Sequence, residues 1–191
     1  MTDASFALRP AERVFLTAAV DTLIPADDLS PSGSECGVVD FIERQLASAW
    51  GEGAGLYRDG PVLPGKPEYG YQLALTPREL LRAGIAAADA WSRGTHGKDF
   101  AALSEAERIA ALKAFEGGTA QFNDVPAKDF FEALLALTME GFFGDPIYGG
   151  NRDCASWKMI GYPGQPANYR DYQRYFGKRY DHPPKSIADI K

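Results

Sequence analysis

The stretch from Pro126 to Phe142 constrains this chain more than any other. It carries Phe130, Phe131, Leu134, Leu135, Leu137, Met139 and Phe142, so apolar groups surround much of a helical surface. A helix of that kind is buried. It therefore belongs at the centre, and the remaining elements have to cover it. No run of β-branched residues alternates with period two anywhere in the 191 residues, so strands should be few. The expected fold is all-α: an irregular single-domain bundle of about five to six helices with long Gly/Pro-rich loops.

The covering helices have readable starts and stops. Residues 9 to 24 form a first helix, with Pro10 in an early position where its missing N–H is not needed. Phe15, Ala19 and Leu23 make its apolar stripe, and Pro25 stops it. Val38 to Trp50 is a second helix, with Val38, Phe41, Ile42, Leu46, Ala49 and Trp50 on one face and Gly51 as its C′ residue. Thr76-Pro77-Arg78-Glu79 is a capping box opening a third, which places Leu80, Leu81, Ile85, Ala88 and Trp91 together and ends near Gly94. Ser104-Glu105-Ala106-Glu107 is a second capping box, and its helix shows Ile109, Leu112 and Phe115 before Gly117-Gly118. A short helix, Arg152 to Ile160, follows Asn151 as its N-cap. Between the second and third helices, residues 52 to 75 carry five glycines and three prolines. That segment is too long for a plain connector, and Tyr57, Tyr69 and Tyr71 should help it pack.

Charge and cysteine usage narrow the function. Net charge is −6, divided as +3 over residues 165 to 191 and −9 over the remainder. A uniform basic face for nucleic acid does not fit that balance. The apolar runs are shorter than the roughly 18 residues of a membrane span. Two cysteines and two histidines, none at paired spacing, do not make the four-ligand set of a structural zinc or an iron–sulfur cluster. There is no C-x-x-C-H for covalent haem. No glycine run after a strand cradles a nucleotide. Asp27 and Asp28 sit together in a loop, but no EF-hand spacing follows and turn chemistry explains them better than calcium. His96 and His182 lie in turn-like sequence, and neither shares a local motif with Cys154, so a nucleophile–base pair has little support.

The richest stretch for function is Glu140 to Gly164, EGFFGDPIYGGNRDCASWKMIGYPG. Loops that combine large aromatics, glycine turns and paired charges often carry function. Glu140, Asp145 and Asp153 face Arg152 and Lys158 in sequence, which favours ion pairs and loop-fixing hydrogen bonds over acid–base work. Phe142, Phe143, Tyr148, Trp157 and Tyr162 are divided between core and interface. Tyr148, Arg152, Trp157 and Tyr162 are of the types enriched at interface hot spots and are the expected partner-interface residues. The tail, with Tyr169, Tyr172, Tyr175, Phe176 and Tyr180, is expected to be a basic aromatic arm (165 to 191) beyond a helical body (8 to 164). The competing reading is a stand-alone ligand-binding protein or enzyme with a pocket at Tyr148 to Trp157.

The run FFGDPIYGGNRDCASWKMIGYPG resembles the C-terminal signature of the gluconate 2-dehydrogenase subunit 3 family. LIPADD at Leu23 to Asp28 and GVVDFIERQL at Gly37 to Leu46 match its N-terminal signature. The resemblance covers residues 8 to 175. It implies a non-catalytic small (gamma) subunit of a periplasmic, membrane-bound dehydrogenase for sugars or sugar acids. A GMC-type flavoprotein large subunit would carry FAD and the substrate site, and a multihaem cytochrome c subunit would pass electrons on. The small subunit would dock on the flavoprotein and support its maturation or export. Such families often carry a twin-arginine leader, and the short polar stretch Met1 to Leu8 departs from that pattern. In an oxidising periplasm, Cys36 and Cys154 become candidates for a disulfide, either internal or from Cys154 to a partner. Two free thiols are the alternative.

Overall fold

A computed structural model describes residues 6–57, 59–63, 65–164, 170–180 and 182–189, apart from the side chains of Pro67 and Asp171. Among them are six α-helices: α1 Pro10–Leu23, α2 Val38–Leu46, α3 Pro77–His96, α4 Glu105–Glu116, α5 Ala127–Phe143 and α6 Ala155–Ile160. Short 3₁₀ turns join them. No strand occurs among the described residues; a single isolated parallel bridge links Gly164 to Lys185. The chain is all-α, and none of its described helices is long and apolar enough to cross a membrane.

Helix α5 is the central element, packed against α2, α3 and α4. Phe130 and Leu134 are completely buried on it. The Phe130 ring lies 6.1 Å from Phe15, 6.4 Å from Phe115 and 6.2 Å from Phe122. Two glycines set how closely its neighbours approach. A Cβ on Gly84 of α3 would stand 2.0 Å from the Phe130 ring, and one on Gly141 of α5 would stand 2.8 Å from the Phe41 ring of α2. Side chains at either position would push the helices apart.

Local chemistry starts the helices where the sequence indicates. Thr76 and Glu79 exchange reciprocal bonds, Thr76 N–H to the Glu79 carboxylate at 2.8 Å and Glu79 N–H to Thr76 Oγ1 at 3.2 Å. Ser104 and Glu107 repeat the arrangement at 2.7 and 3.4 Å. Both pairs satisfy donors that a helix start leaves open. Helix α3 runs two residues past Gly94 and stops at Gly97, whose φ of +72° suits glycine.

Four expectations need correction. Helix α2 ends at Leu46, not Trp50. The chain doubles back so tightly that a Cβ on Gly51 would lie 2.2 Å from the Leu46 carbonyl oxygen. That same oxygen accepts from Arg78 Nε at 2.8 Å, so the helix end is closed by α3. Trp50 is consequently 41% exposed. Ile109 and Met139, placed on core faces by periodicity, are 39% and 42% exposed. Of the three tyrosines in the segment 52 to 75, only Tyr71 packs on the core, beside Leu73 and Leu75, its hydroxyl donating to the Leu75 carbonyl at 3.1 Å. Tyr57 and Tyr69 stand 81% and 70% exposed. Finally, α6 begins at Ala155 after a separate 3₁₀ turn, Arg152–Cys154.

Candidate functional site

The loop and short helix from Gly144 to Gly164 fold through polar staples between their own residues. Asn151 is fully buried in a left-handed conformation, φ +43°. Its Oδ1 accepts from Ser156 N–H at 3.0 Å and Ser156 Oγ at 2.8 Å, and its Nδ2 donates to the Gly144 carbonyl at 2.9 Å. Asn151 thus caps α6 from across the intervening 3₁₀ turn, not the residue beside it as its sequence position suggests. Asp153 and Cys154 are also left-handed, at φ +57° and +53°. Three such non-glycine residues within four positions hold an unfavourable backbone that only a tightly determined surrounding maintains.

Asp145 opens the loop as a turn former should. Its carboxylate accepts from Ile147 N–H at 2.9 Å, from the Ser186 hydroxyl, and from Ile187 N–H at 2.9 Å. Burial acts to raise its pKa; the bonds from Ser186, Ile147 and Ile187 outweigh that and hold it below the usual carboxylate value. The distal part of the tail is therefore tied back to the signature loop, unlike a free arm. Earlier in the tail, Tyr180 stacks on Tyr172 at 4.9 Å and meets Tyr175 edge-on at 5.1 Å, while Phe176 stands 93% exposed. Tyr169 lies outside the described residues.

Trp157 is 3% exposed. Its indole N–H donates to the Phe143 carbonyl at 2.8 Å, and Tyr162 meets its ring edge-on at 5.1 Å. This satisfies an end of α5 that would otherwise lack a partner. Trp157 is all but covered in the free chain and fastens the loop to α5. Of the four expected interface residues, Tyr148 is 54% exposed and the Arg152 side chain 56%. Tyr162 is half-buried beside Trp157.

Arg152 does not pair with the neighbouring signature carboxylates. Its backbone N–H donates to the Cys36 carbonyl at 2.9 Å and its guanidinium to the Glu35 carbonyl at 3.0 Å, with Asp40 at 3.4 Å. Asp40 in turn accepts from Arg13 at 2.9 Å, and Arg13 also pairs with Glu43. The C-terminal signature is thereby fixed to the N-terminal one, Gly37 to Leu46. Pairing across the two motifs, instead of within one, cannot be read from local spacing.

Both cysteines are free. Cys36 is buried, with its thiol 3.7 Å from the Pro31 carbonyl, and Cys154 is half-buried. Burial pushes both thiols up, which disfavours the reactive thiolate. Of the readings open for the two cysteines, the structure holds the two free thiols and no internal bridge. Asp27 uses Oδ1 to accept from Leu29 and Ser30 N–H at 2.8 and 2.9 Å, which is turn chemistry. His96 sits 3.9 Å from Glu107, and His182 Nε2 lies 3.0 Å from the Tyr175 hydroxyl. Among the described residues, no three His, Cys, Asp or Glu side chains converge to hold a metal ion.

The pocket of the competing reading, at Tyr148 to Trp157, is not one cavity. Tyr148 borders a shallow hollow with Phe41, Gln45 and Glu140. Arg152 borders a second with Glu35 and Cys36, and Trp157 a third with Tyr180 and His182. Sequence reasoning missed a more enclosed cleft along α5, about 230 Å³, floored by Leu80 and Leu137 and walled by Trp50 and Tyr71. Its available signal was the placement of Asp129, Glu132 and Glu140 along one side of a helix otherwise read as apolar all round.

The family model described as gluconate 2-dehydrogenase subunit 3 matches residues 10–164, well over half of the chain. No curated protein and no solved structure matches.

Proposed function

The chain belongs to the gluconate 2-dehydrogenase subunit 3 family, and from that premise we propose that it is a non-catalytic small subunit of an FAD-dependent, gluconate 2-dehydrogenase-like complex in the periplasm. It docks on a GMC-type flavoprotein subunit and supports that subunit's maturation or export. FAD belongs to that partner and haem c to a multihaem cytochrome c subunit. The donor set favours this division. This chain has no C-x-x-C-H, and its described acids, cysteines and histidines do not converge.

One observation carries the reading. The signature loop is stapled internally by Asn151 and Asp145 and to the end of α5 by Trp157, yet Tyr148 and Arg152 project from it with more than half their side chains or surfaces in solvent. A rigid loop presenting an aromatic and an arginine loses little entropy on association, and those two types are common anchors. Trp157 and Tyr162 act beneath them, as the support that holds the surface in shape. The division of Tyr148, Arg152 and Trp157 among three separate hollows weighs against the stand-alone ligand-binding alternative.

The test is co-expression with the flavoprotein subunit, recovery through a tag on this chain, and a melt of each free variant. Tyr148→Ala and Arg152→Ala together should weaken association by about 2 kcal/mol or more, beyond the roughly 1 kcal/mol that the free subunit loses with the Arg152 bonds to Glu35 and Asp40; Tyr148→Ala alone should leave the free subunit's melt unchanged to within about 0.5 kcal/mol. An intact complex with the double variant would place docking elsewhere. Dye-linked gluconate oxidation by the purified chain alone would contradict the non-catalytic assignment.

A further inference from the structure

We infer that the cleft along α5 is a second docking groove, for a basic amphipathic segment of a partner polypeptide. This goes beyond the signature-loop surface and does not depend on it. The groove's floor and walls are apolar: Leu80, Leu137, Ala133, Ala136, Trp50 and Tyr71. Its charged lining is entirely acidic, Asp129, Glu132 and Glu140, with no Lys, Arg or His among the lining residues. Lys128 offsets part of this, pairing with Glu132 at 3.7 Å. The Glu140 carbonyl accepts from Gly144 N–H at 2.8 Å, but its carboxylate has neither hydrogen bond nor ion pair with a described residue.

The two remaining carboxylates are not simply solvated surface acids. Burial raises the pKa of Glu140, and burial followed by repulsion from Glu132 raises that of Asp129. Glu140 remains exposed as a residue, so the desolvation is partial, and an incoming cation would offset it. An apolar patch rimmed by charge marks an interaction site more often than a scattered surface residue does. Trp50, 41% exposed, borders this one.

Charge and size identify the occupant. The volume suits a few side chains of a peptide better than a cofactor. Eleven helical positions separate Asp129 from Glu140, about 16 Å along the axis. The matching ligand therefore carries Lys or Arg at two positions about that far apart, with apolar residues between them to meet Leu80 and Leu137. The groove also continues toward the docking loop, since Glu140 lines both the cleft and the hollow beside Tyr148.

The experiment uses the full chain and a fluorescently labelled synthetic peptide of about 16 residues. The peptide has a Leu/Ala face flanked by lysines, and a control carries glutamates in their place. Anisotropy gives the affinity, and emission from Trp50 in the wall reports the site. The basic peptide should bind, more weakly as salt rises, and the acidic control should not. Asp129→Asn with Glu140→Gln should weaken binding about ten-fold with an unchanged melt. Ala136→Arg, at an exposed position of the floor, should abolish it. No binding of the basic peptide overturns the proposal, as does equal binding of the acidic control or indifference to both variants. A concentration-dependent dimer lost with Ala136→Arg would also overturn it, by assigning the groove to a second copy of the chain. None of these outcomes involves the flavoprotein, so failure here leaves the subunit assignment to its own test.

Discussion

Residues 52 to 75 and residues 144 to 164 read alike in sequence. Both are rich in glycine and aromatics and both interrupt helices. They fold by different means. The second is bound together by Asp145, Asn151 and Trp157, each bonded to backbone groups of the loop or the adjoining helix. The first bonds back through Tyr71 and Gln72, to Leu75, Tyr69 and Gly70. It leaves Tyr57, Leu63 and Tyr69 between 64% and 81% exposed. Glycine and aromatic content does not separate a preorganised loop from a loosely held one. Short polar side chains buried against backbone groups do, because a buried donor or acceptor left alone is costly and so fixes a single geometry.

The strongest test of that contrast is Trp157→Ala. The side chain is 3% exposed and its indole N–H donates to the Phe143 carbonyl at 2.8 Å. Its loss should destabilise the free chain by about 3–5 kcal/mol, measured by denaturant melts. A loss below about 0.5 kcal/mol would mean that the loop does not depend on its anchor and that Trp157 serves a partner instead. For scale, Leu134→Ala in the centre of α5 should cost about 2–5 kcal/mol, so the loop's anchor should rank with the core itself.

Asn151→Ala comes next. It removes three hydrogen bonds at a fully buried site and puts alanine at a left-handed φ of +43°. The expected cost is about 2–3 kcal/mol, with loss of protection in α6 by hydrogen exchange. Unchanged α6 protection would show that the cap is dispensable.

These two residues also show what was legible in the sequence. Asn151 was visible as a cap because Asn before a helical run is local information. Its true partner, Ser156, was not, because the intervening 3₁₀ turn displaces the helix start. The capping boxes at Thr76 and Ser104 were legible for the same reason, since each closes on a residue three positions ahead. The end of α2 was not, because Gly51 and Arg78 close it through a tertiary approach. Trp157 was ambiguous in principle: tryptophan is favoured both in cores and at hot spots, and composition cannot decide between them. The link from Arg152 to Glu35 and Asp40 crosses more than a hundred residues, and no spacing rule reaches that far.

A smaller effect should appear in acid. Asp145 is held below the usual carboxylate range by its hydrogen bonds in spite of burial. A depressed folded-state pKa gives stability that is present above the unfolded value, near 4, and lost as pH falls through the folded value. Melts from about pH 5 downward should therefore fall more steeply for the native chain than for Asp145→Asn. The release of the tail from the loop should follow the same titration, seen as faster proteolysis beyond Gly164. Parallel acid profiles for the two proteins would remove Asp145 from the account.

The smallest effect is expected on the other side of the comparison. Tyr57 and Tyr69 are 81% and 70% exposed, and neither makes a hydrogen bond through its hydroxyl with any described residue. Replacing either by alanine deletes an aromatic ring that touches mostly water, so the folded state loses little burial. Surface changes of this kind usually stay within about 0.5 kcal/mol. The pair of variants should melt with the native chain, while Trp157→Ala, also the loss of one aromatic from a glycine-rich loop, does not. If Tyr57→Ala or Tyr69→Ala instead costs about 2 kcal/mol or more, the segment 52 to 75 is packed in solution and the contrast between the two loops collapses. If both are neutral in the free chain but weaken the assembled complex, these rings are partner contacts, and the docking surface extends from Tyr148 past the α5 cleft to this loop.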